Sequence, residues 1–202
     1  MLVVVGGHSR NLGKTSVVAG LIRRLKHRNW TAVKITQYGH GVCARDNHVC
    51  GCEAAPEHAF ALSEEYEPNG TDSGRYLAAG ARRSFWLRTP AGGLDCAVPT
   101  LRKIVNAAEN VIMESNSVME FLRPDTFVML LDFACEDFKS SSLRFLDRAD
   151  AFVVIDRGIN VPIWEDLARG VWDGKAQFPV KPPNYVTAAL AAFVNSRDSE
   201  TR

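Results

Sequence analysis

Gly7-His8-Ser9-Arg10-Asn11-Leu12-Gly13-Lys14-Thr15 is the stretch on which the fold turns. It follows Leu2–Val5, a short β-branched run that reads as a buried parallel strand. From Lys14 onward the apolar period changes: Val17, Val18, Leu21, Ile22 and Leu25 share one helical face. A glycine-rich turn between a buried strand and a helix is the setting of a phosphate-binding loop. Glycines let backbone N–H groups turn inward around phosphate oxygens, and the helix N-terminus adds its positive dipole end. Gly7, Asn11, Leu12, Gly13, Lys14, Thr15 and Ser16 are therefore expected to bind nucleotide. Lys14 would reach the β- and γ-phosphates, and the Thr15 hydroxyl would ligate Mg²⁺.

Beyond the loop, strands and helices alternate. Asn29 ends the first helix and Thr31–Thr36 reads as the second strand. Residues 73–82, 100–108, 142–148 and 185–196 read as helices. Residues 84–87, 111–114, 127–132, 151–155 and 178–180 read as strands. This alternation predicts an α/β fold, a doubly wound, mostly parallel sheet of six or seven strands. At 202 residues a single domain spanning 1–202 is expected, and no internal repeat or long linker interrupts it.

Composition narrows the class. Hydrophobic residues make up 46% and charged residues 23%, so disorder and a small disulfide scaffold are both excluded as expectations. The net charge of +1 hides an asymmetry: residues 1–45 carry eight Lys or Arg and no acid. That suggests an anionic partner, although Arg23, Arg24, Lys26 and Arg28 read as a solvated helix face. With Lys14, Arg10 and Lys34 assigned to a polyphosphate, no nucleic-acid partner is expected. No apolar run approaches the roughly 18–20 residues of a membrane span, and Met1–Val5 lacks a basic leader, so a cytoplasmic location without membrane contact is expected.

Two further positions join the loop. Lys34 ends the second strand, where open α/β sheets place ligand groups. Glu114 ends the strand 111–114, as an acid holding Mg²⁺ directly or through water would. Asp132 and Asp46 are weaker Mg²⁺ candidates. Lys14, Lys34 and Glu114 form the expected catalytic set.

Residues 37–70 read as an insertion of a different kind. Cys43, Cys50 and Cys52, with His40, His48 and His58, place six soft or borderline ligands within 19 residues. Thiolates and imidazoles suit Zn²⁺, and such a site organises a loop that has no core of its own. Cys43, Cys50 and Cys52 with His58, or His40, is the favoured set; free or redox-active thiols are the alternative. An Fe–S cluster would need Cys96 or Cys135 as a fourth thiolate. Those two otherwise read as small core residues in or near strands.

Two resemblances add to this. The five residues between Gly7 and Gly13 give the loop the spacing of dethiobiotin synthetase, in which a lysine at the place of Lys34 contacts substrate and phosphate. Asn11–Thr15, Val33–Thr36, Asp72-Ser73 with Arg75 and Ala79-Gly80-Ala81, and Val111–Glu114 together resemble the MobB-type P-loop NTPases of molybdopterin-guanine dinucleotide biosynthesis. That likeness covers residues 1–120 loosely, and the Asp72-to-Ala81 element is its most specific part. It implies a P-loop NTPase fold and a slow NTPase using ATP or GTP with Mg²⁺, and it makes Asp72, which matches the family's aspartate, a second Mg²⁺ candidate. A cofactor-biosynthesis protein or small molecule would be its partner. Members of the family often pair, which implies a homodimer; Trp30, Trp86, Trp164 and Trp172 allow for an interface. Glu114 is followed by Ser115-Asn116 where the family has glycine, and the cysteine-rich insertion is not in its pattern. Asn-Lys-x-Asp does not follow Ile155, so ATP and GTP stay open. The alternatives to the MobB-type reading are an ATP-dependent ligase or small-molecule kinase of the dethiobiotin synthetase type, and a nucleotide-gated metal-carrying module.

Overall fold

The computed structural model describes residues 1–39, 59–159, 161–164, 171 and 174–197. Its strands are β1 (Leu2–Gly7), β2 (Trp30–Tyr38), β3 (Ala61–Glu65), β4 (Arg83–Pro90), β5 (Asn110–Glu114), β6 (Thr126–Asp132), β7 (Ala151–Ile155) and β8 (Ala176–Val180). The helices between them are α1 (Lys14–Arg24), α2 (Asp72–Ala79), α3 (Val98–Ala107), α4 (Ser140–Leu143) and α5 (Ala188–Ser196). They form one sheet in the order β3-β4-β2-β5-β1-β6-β7-β8. Every pairing is parallel except β3 with β4.

Alternation along the strands divides the core in two. Leu2 and Val4 of β1 join Met113, Phe127, Met129 and Leu101 of α3 on one face. Val3 and Val5 join α1 through Val17, Val18, Leu21 and Ile22, α2 through Tyr76, and α5 through Leu190 and Val194 on the other. Central strands buried on both faces explain the unbroken Val/Ile/Leu/Met runs. All five residues assigned to the apolar face of α1 are buried, while Arg23, Arg24 and Lys26 are exposed.

The chain moves from β1 outward to β2, returns to β5, and then crosses to β6 on the far side of β1. The carboxyl ends of the strands at that reversal, β1, β5 and β6, are the place where such sheets bind ligands. The loop Gly7–Gly13 begins there.

Four expectations need correction. Among the described residues the sheet has eight strands, not six or seven, because β3 lies inside the stretch read as an insertion. Its sequence, Ala-Leu-Ser-Glu-Glu, is a short, polar edge strand whose residues are all half-buried, so it carries little apolar signal. The helix expected to 82 stops at Ala79, because Gly80 takes a left-handed φ of 104° and caps it. The helix expected over 142–148 is broken: α4 ends at Leu143, and a 3-10 turn, Leu146–Arg148, follows Phe145, whose ring goes into the core. Cys96 is exposed and Cys135 half-buried, so neither is a core residue. No helix among the described residues is long and apolar enough to cross a membrane.

Gly6 shows how tightly the end of β1 is enclosed. A Cβ there would lie 2.3 Å from Asn116 Oδ1 and 2.9 Å from Phe127 Cε2. Gly6→Ala is expected to destabilise the protein by about 1–3 kcal/mol, lowering Tm by roughly 2–4 °C per kcal/mol. A thermal melt unchanged from wild type would contradict this packing.

Candidate functional site

The loop is fastened before it turns. The Gly7 N–H donates to Asn116 Oδ1 at 2.9 Å, and Asn116 Nδ2 donates back to the Gly7 carbonyl at 2.9 Å. Asn116 also donates to Ser142 Oγ at 2.7 Å, and that hydroxyl donates to the same carbonyl at 2.8 Å. His8, where a stricter glycine-rich pattern has glycine, is fully buried. Its ring lies 4.9 Å from Phe138 and 4.7 Å from Trp164. The Asp132 N–H donates to Nδ1 at 3.4 Å, so Nε2 carries the proton and donates to the Cys135 carbonyl at 3.3 Å. Burial holds the imidazole below its ordinary pKa despite the Cys135 and Leu130 carbonyls, which favour its charged form. It acts as a neutral pin under the loop.

Two residues give the turn its shape. Asn11 has φ 54° and Gly13 φ 99°, both left-handed. At Gly13 a Cβ would also fall 2.3 Å from the Tyr185 ring, so a side chain is doubly disfavoured. Leu12 is buried in the α1 face of the core. Ser16 Oγ accepts from Arg75 Nη2 at 3.1 Å. The first turn of α1 has no side-chain cap, which leaves its N–H groups available to an anion. The Lys14 stem crosses Gly7, and its ammonium donates to the Ser9 carbonyl at 2.9 Å. Burial lowers its pKa, and no carboxylate among the described residues pairs with it within 4 Å.

Behind the loop sits a buried carboxylate. Glu114, 3% exposed at the end of β5, accepts from Thr15 Oγ1 at 2.7 Å and from the Tyr76 hydroxyl through Oε2. Its Oε1 accepts from the Lys34 ammonium. Lys34 also lies 2.9 Å from Asp72 Oδ2 and 3.3 Å from Thr15 Oγ1. Burial works against the Lys34 charge, but Glu114 and Asp72 outweigh it and raise its pKa. Burial likewise opposes the Asp72 charge, yet Lys34 and Arg75 prevail and lower its pKa. Tyr76 is pushed well above its ordinary pKa by burial and by Glu114, so it stays a donor.

The structure thus brings Lys14, Thr15, Lys34, Asp72 and Glu114 to one edge of the sheet. Asp132 is not among them: it accepts from Arg157 Nε at 2.8 Å and from the Ala134 N–H at 3.1 Å. Cys43, Cys50, Cys52, His40, His48, His58 and Asp46 lie outside the described residues. Tyr76 and Asn116 were missed by sequence reasoning. Tyr76 was findable, since it follows Asp72 by four and so shares its helix face. Asn116 gives no signal beyond its nearness to Glu114.

Two carboxylates and a hydroxyl already gather around one cation, the Lys34 ammonium. Hard oxygen donors of this kind suit Mg²⁺. Among the described residues no three His, Cys, Asp or Glu side chains gather to hold a metal, so the fit rests on Thr15, Asp72 and Glu114.

No protein-family model matches the chain, and no curated protein does. Among solved structures it is similar to LpxK from Aquifex aeolicus, a crystal structure in complex with ATP, at 19% identity and a TM-score of 0.49. The match covers 88% of this chain and 53% of that one, so the chain spans about half the length of LpxK.

The Glu114 cluster makes a direct stability prediction. Glu114→Ala leaves Lys34 with Asp72 as its one carboxylate among the described residues, and a loss of about 3 kcal/mol in urea unfolding is expected. Lys34→Met in that background should recover part of it. A double-mutant coupling below about 0.5 kcal/mol would contradict the pairing.

Proposed function

We propose that this chain binds a nucleoside triphosphate, ATP or GTP, together with Mg²⁺. It does so as a MobB-type accessory NTPase of slow turnover. The observation that carries the proposal is the convergence of Lys14, Thr15, Lys34, Asp72 and Glu114 at the switch point of the sheet. Lys14 is half-buried with a carbonyl as its acceptor and, among the described residues, no carboxylate within 4 Å, an arrangement that an anion would complete. The MobB-type part is supported by the position of the Asp72-to-Ala81 element, which sets Asp72 on Lys34 and Arg75 on Ser16.

In this reading Gly7–Ser16 wraps the phosphates with backbone N–H groups. Lys14 leaves the Ser9 carbonyl for the β- and γ-phosphates. Thr15, Glu114 and Asp72 would hold Mg²⁺, which would supply neutralisation of phosphate charge. Tyr76 keeps the Glu114 carboxylate oriented, and Asn116 and His8 keep the loop fixed during binding. A Zn²⁺ or Fe–S site at Cys43, Cys50, Cys52 and His58 belongs to the same proposal and is supported by donor chemistry in the sequence alone.

A second reading is favoured by the place of Lys34. Its ammonium reaches the cluster from β2, as a substrate-activating lysine of a ligase or small-molecule kinase would. The two readings separate by substitution. Lys14→Ala is expected to abolish binding of both ATP and GTP in calorimetric titration, and unaltered binding would contradict the loop assignment. Lys34→Ala should leave nucleotide binding nearly intact, removing turnover entirely only under the second reading.

A further inference from the structure

The connection between β6 and α4 carries a group that neither the loop pattern nor the Glu114 cluster uses. It is bonded to the phosphate loop at successive points. The Lys139 N–H donates to the His8 carbonyl at 2.8 Å, and Ser9 Oγ donates to Asp137 Oδ2 at 2.6 Å. His8 donates to the Cys135 carbonyl, and its ring lies tilted against that of Phe138. On its other side Lys139 precedes α4, where its carbonyl accepts from the N–H groups of Ser142 at 2.8 Å and Leu143 at 3.0 Å. Its backbone is therefore fixed from both directions.

We propose that Lys139 is a second phosphate-binding lysine, which contacts the terminal phosphate of the nucleoside triphosphate beside Lys14. This rests on the reading of the loop as a nucleotide site. The Lys139 side chain is half-buried. The charges of Lys14 and Arg10 in the loop and of Lys34 on β2 act against its own, while among the described residues Asp137 is the carboxylate that acts in its favour. Asp137 is occupied by Ser9, and among the described residues no acid lies within 4 Å of the Lys139 ammonium. Cations gathered with so little compensation are unfavourable until an anion joins them. Burial first, and then Lys14 and Arg10, bring the Lys139 pKa down to about 8. At alkaline pH a lysine in that condition regains its proton when a polyphosphate arrives.

The sign of the effect follows. Free Lys139 loses its proton as pH rises through about 8, whereas a phosphate neighbour raises its pKa. Binding near pH 8.5 therefore takes up a proton, and affinity falls above that range. The test is calorimetric titration of the purified chain with ATP or GTP and Mg²⁺, at pH 7 and pH 9, in buffers of different ionisation enthalpy. Lys139→Met should lose about tenfold in affinity at pH 7. It should also lose that share of the proton uptake. Lys139→Arg, charged throughout, should bind at pH 9 better than wild type, and it gives a second folded comparison. Wild-type affinity and proton uptake in Lys139→Met, alongside lost binding in Lys14→Ala, would overturn this inference and leave the loop reading standing. Absence of nucleotide binding by wild type would overturn both.

Discussion

A buried carboxylate that cannot be left alone governs this structure. Glu114 ends a central strand almost without solvent, and an isolated charge there would cost several kcal/mol. Three donors meet it, each from a different element: Thr15 from α1, Tyr76 from α2 and Lys34 from β2. The requirement to satisfy one carboxylate thus fixes the start of α1 relative to β5, the rotation of α2, and the direction of the β2 lysine. Asp72 then balances what remains of the Lys34 charge. Few rearrangements of this edge keep all of these groups paired, which is how a site is held in place before any ligand arrives.

The loop itself is held by a different kind of constraint, hydrogen bonding to its backbone at Gly7 and His8. Asn116 and Ser142 occupy both polar groups of Gly7, and the His8 ring is fixed as one tautomer by an N–H on one side and a carbonyl on the other. The first turn of α1, by contrast, keeps its N–H groups without a side-chain cap. Rigidity is placed at the base of the loop, and unsatisfied donors at its opening. Such a division suits a polyanion: the donors are oriented in advance, and little order has to be gained on binding.

Much of this was legible in the sequence because it follows from periodicity. The β-branched run before Gly7 and the 3.6-residue pattern after Lys14 marked the strand, turn and helix. Residues 151–155 were bounded as they occur. Lys34 and Glu114 could be singled out because ligand groups gather at strand ends, and Asp72 because it matches the aspartate of the MobB-type pattern; the structure brings the three together. What escaped depends on tertiary pairing. Strand β3 is polar and lies at the edge, so its five residues resemble a loop. Asp132 ends a strand as Glu114 does, but Arg157 takes it away from the cluster, and no local pattern foretells that partner. Lys139 was invisible for the same reason. Its position matters only because the loop after β6 folds back onto His8, more than 120 residues away in sequence.

The central claim is that the Gly7–Ser16 loop and the Glu114 cluster form one nucleotide and metal site. A crystal structure with a non-hydrolysable triphosphate and Mg²⁺ tests it most directly. The expected result places Lys14 Nζ on the β- and γ-phosphate oxygens and the Thr15 hydroxyl on the metal, with Lys34 withdrawn from the Thr15 hydroxyl. A nucleotide bound elsewhere, with Lys14 still on the Ser9 carbonyl and Lys34 still between Glu114 and Asp72, would contradict it.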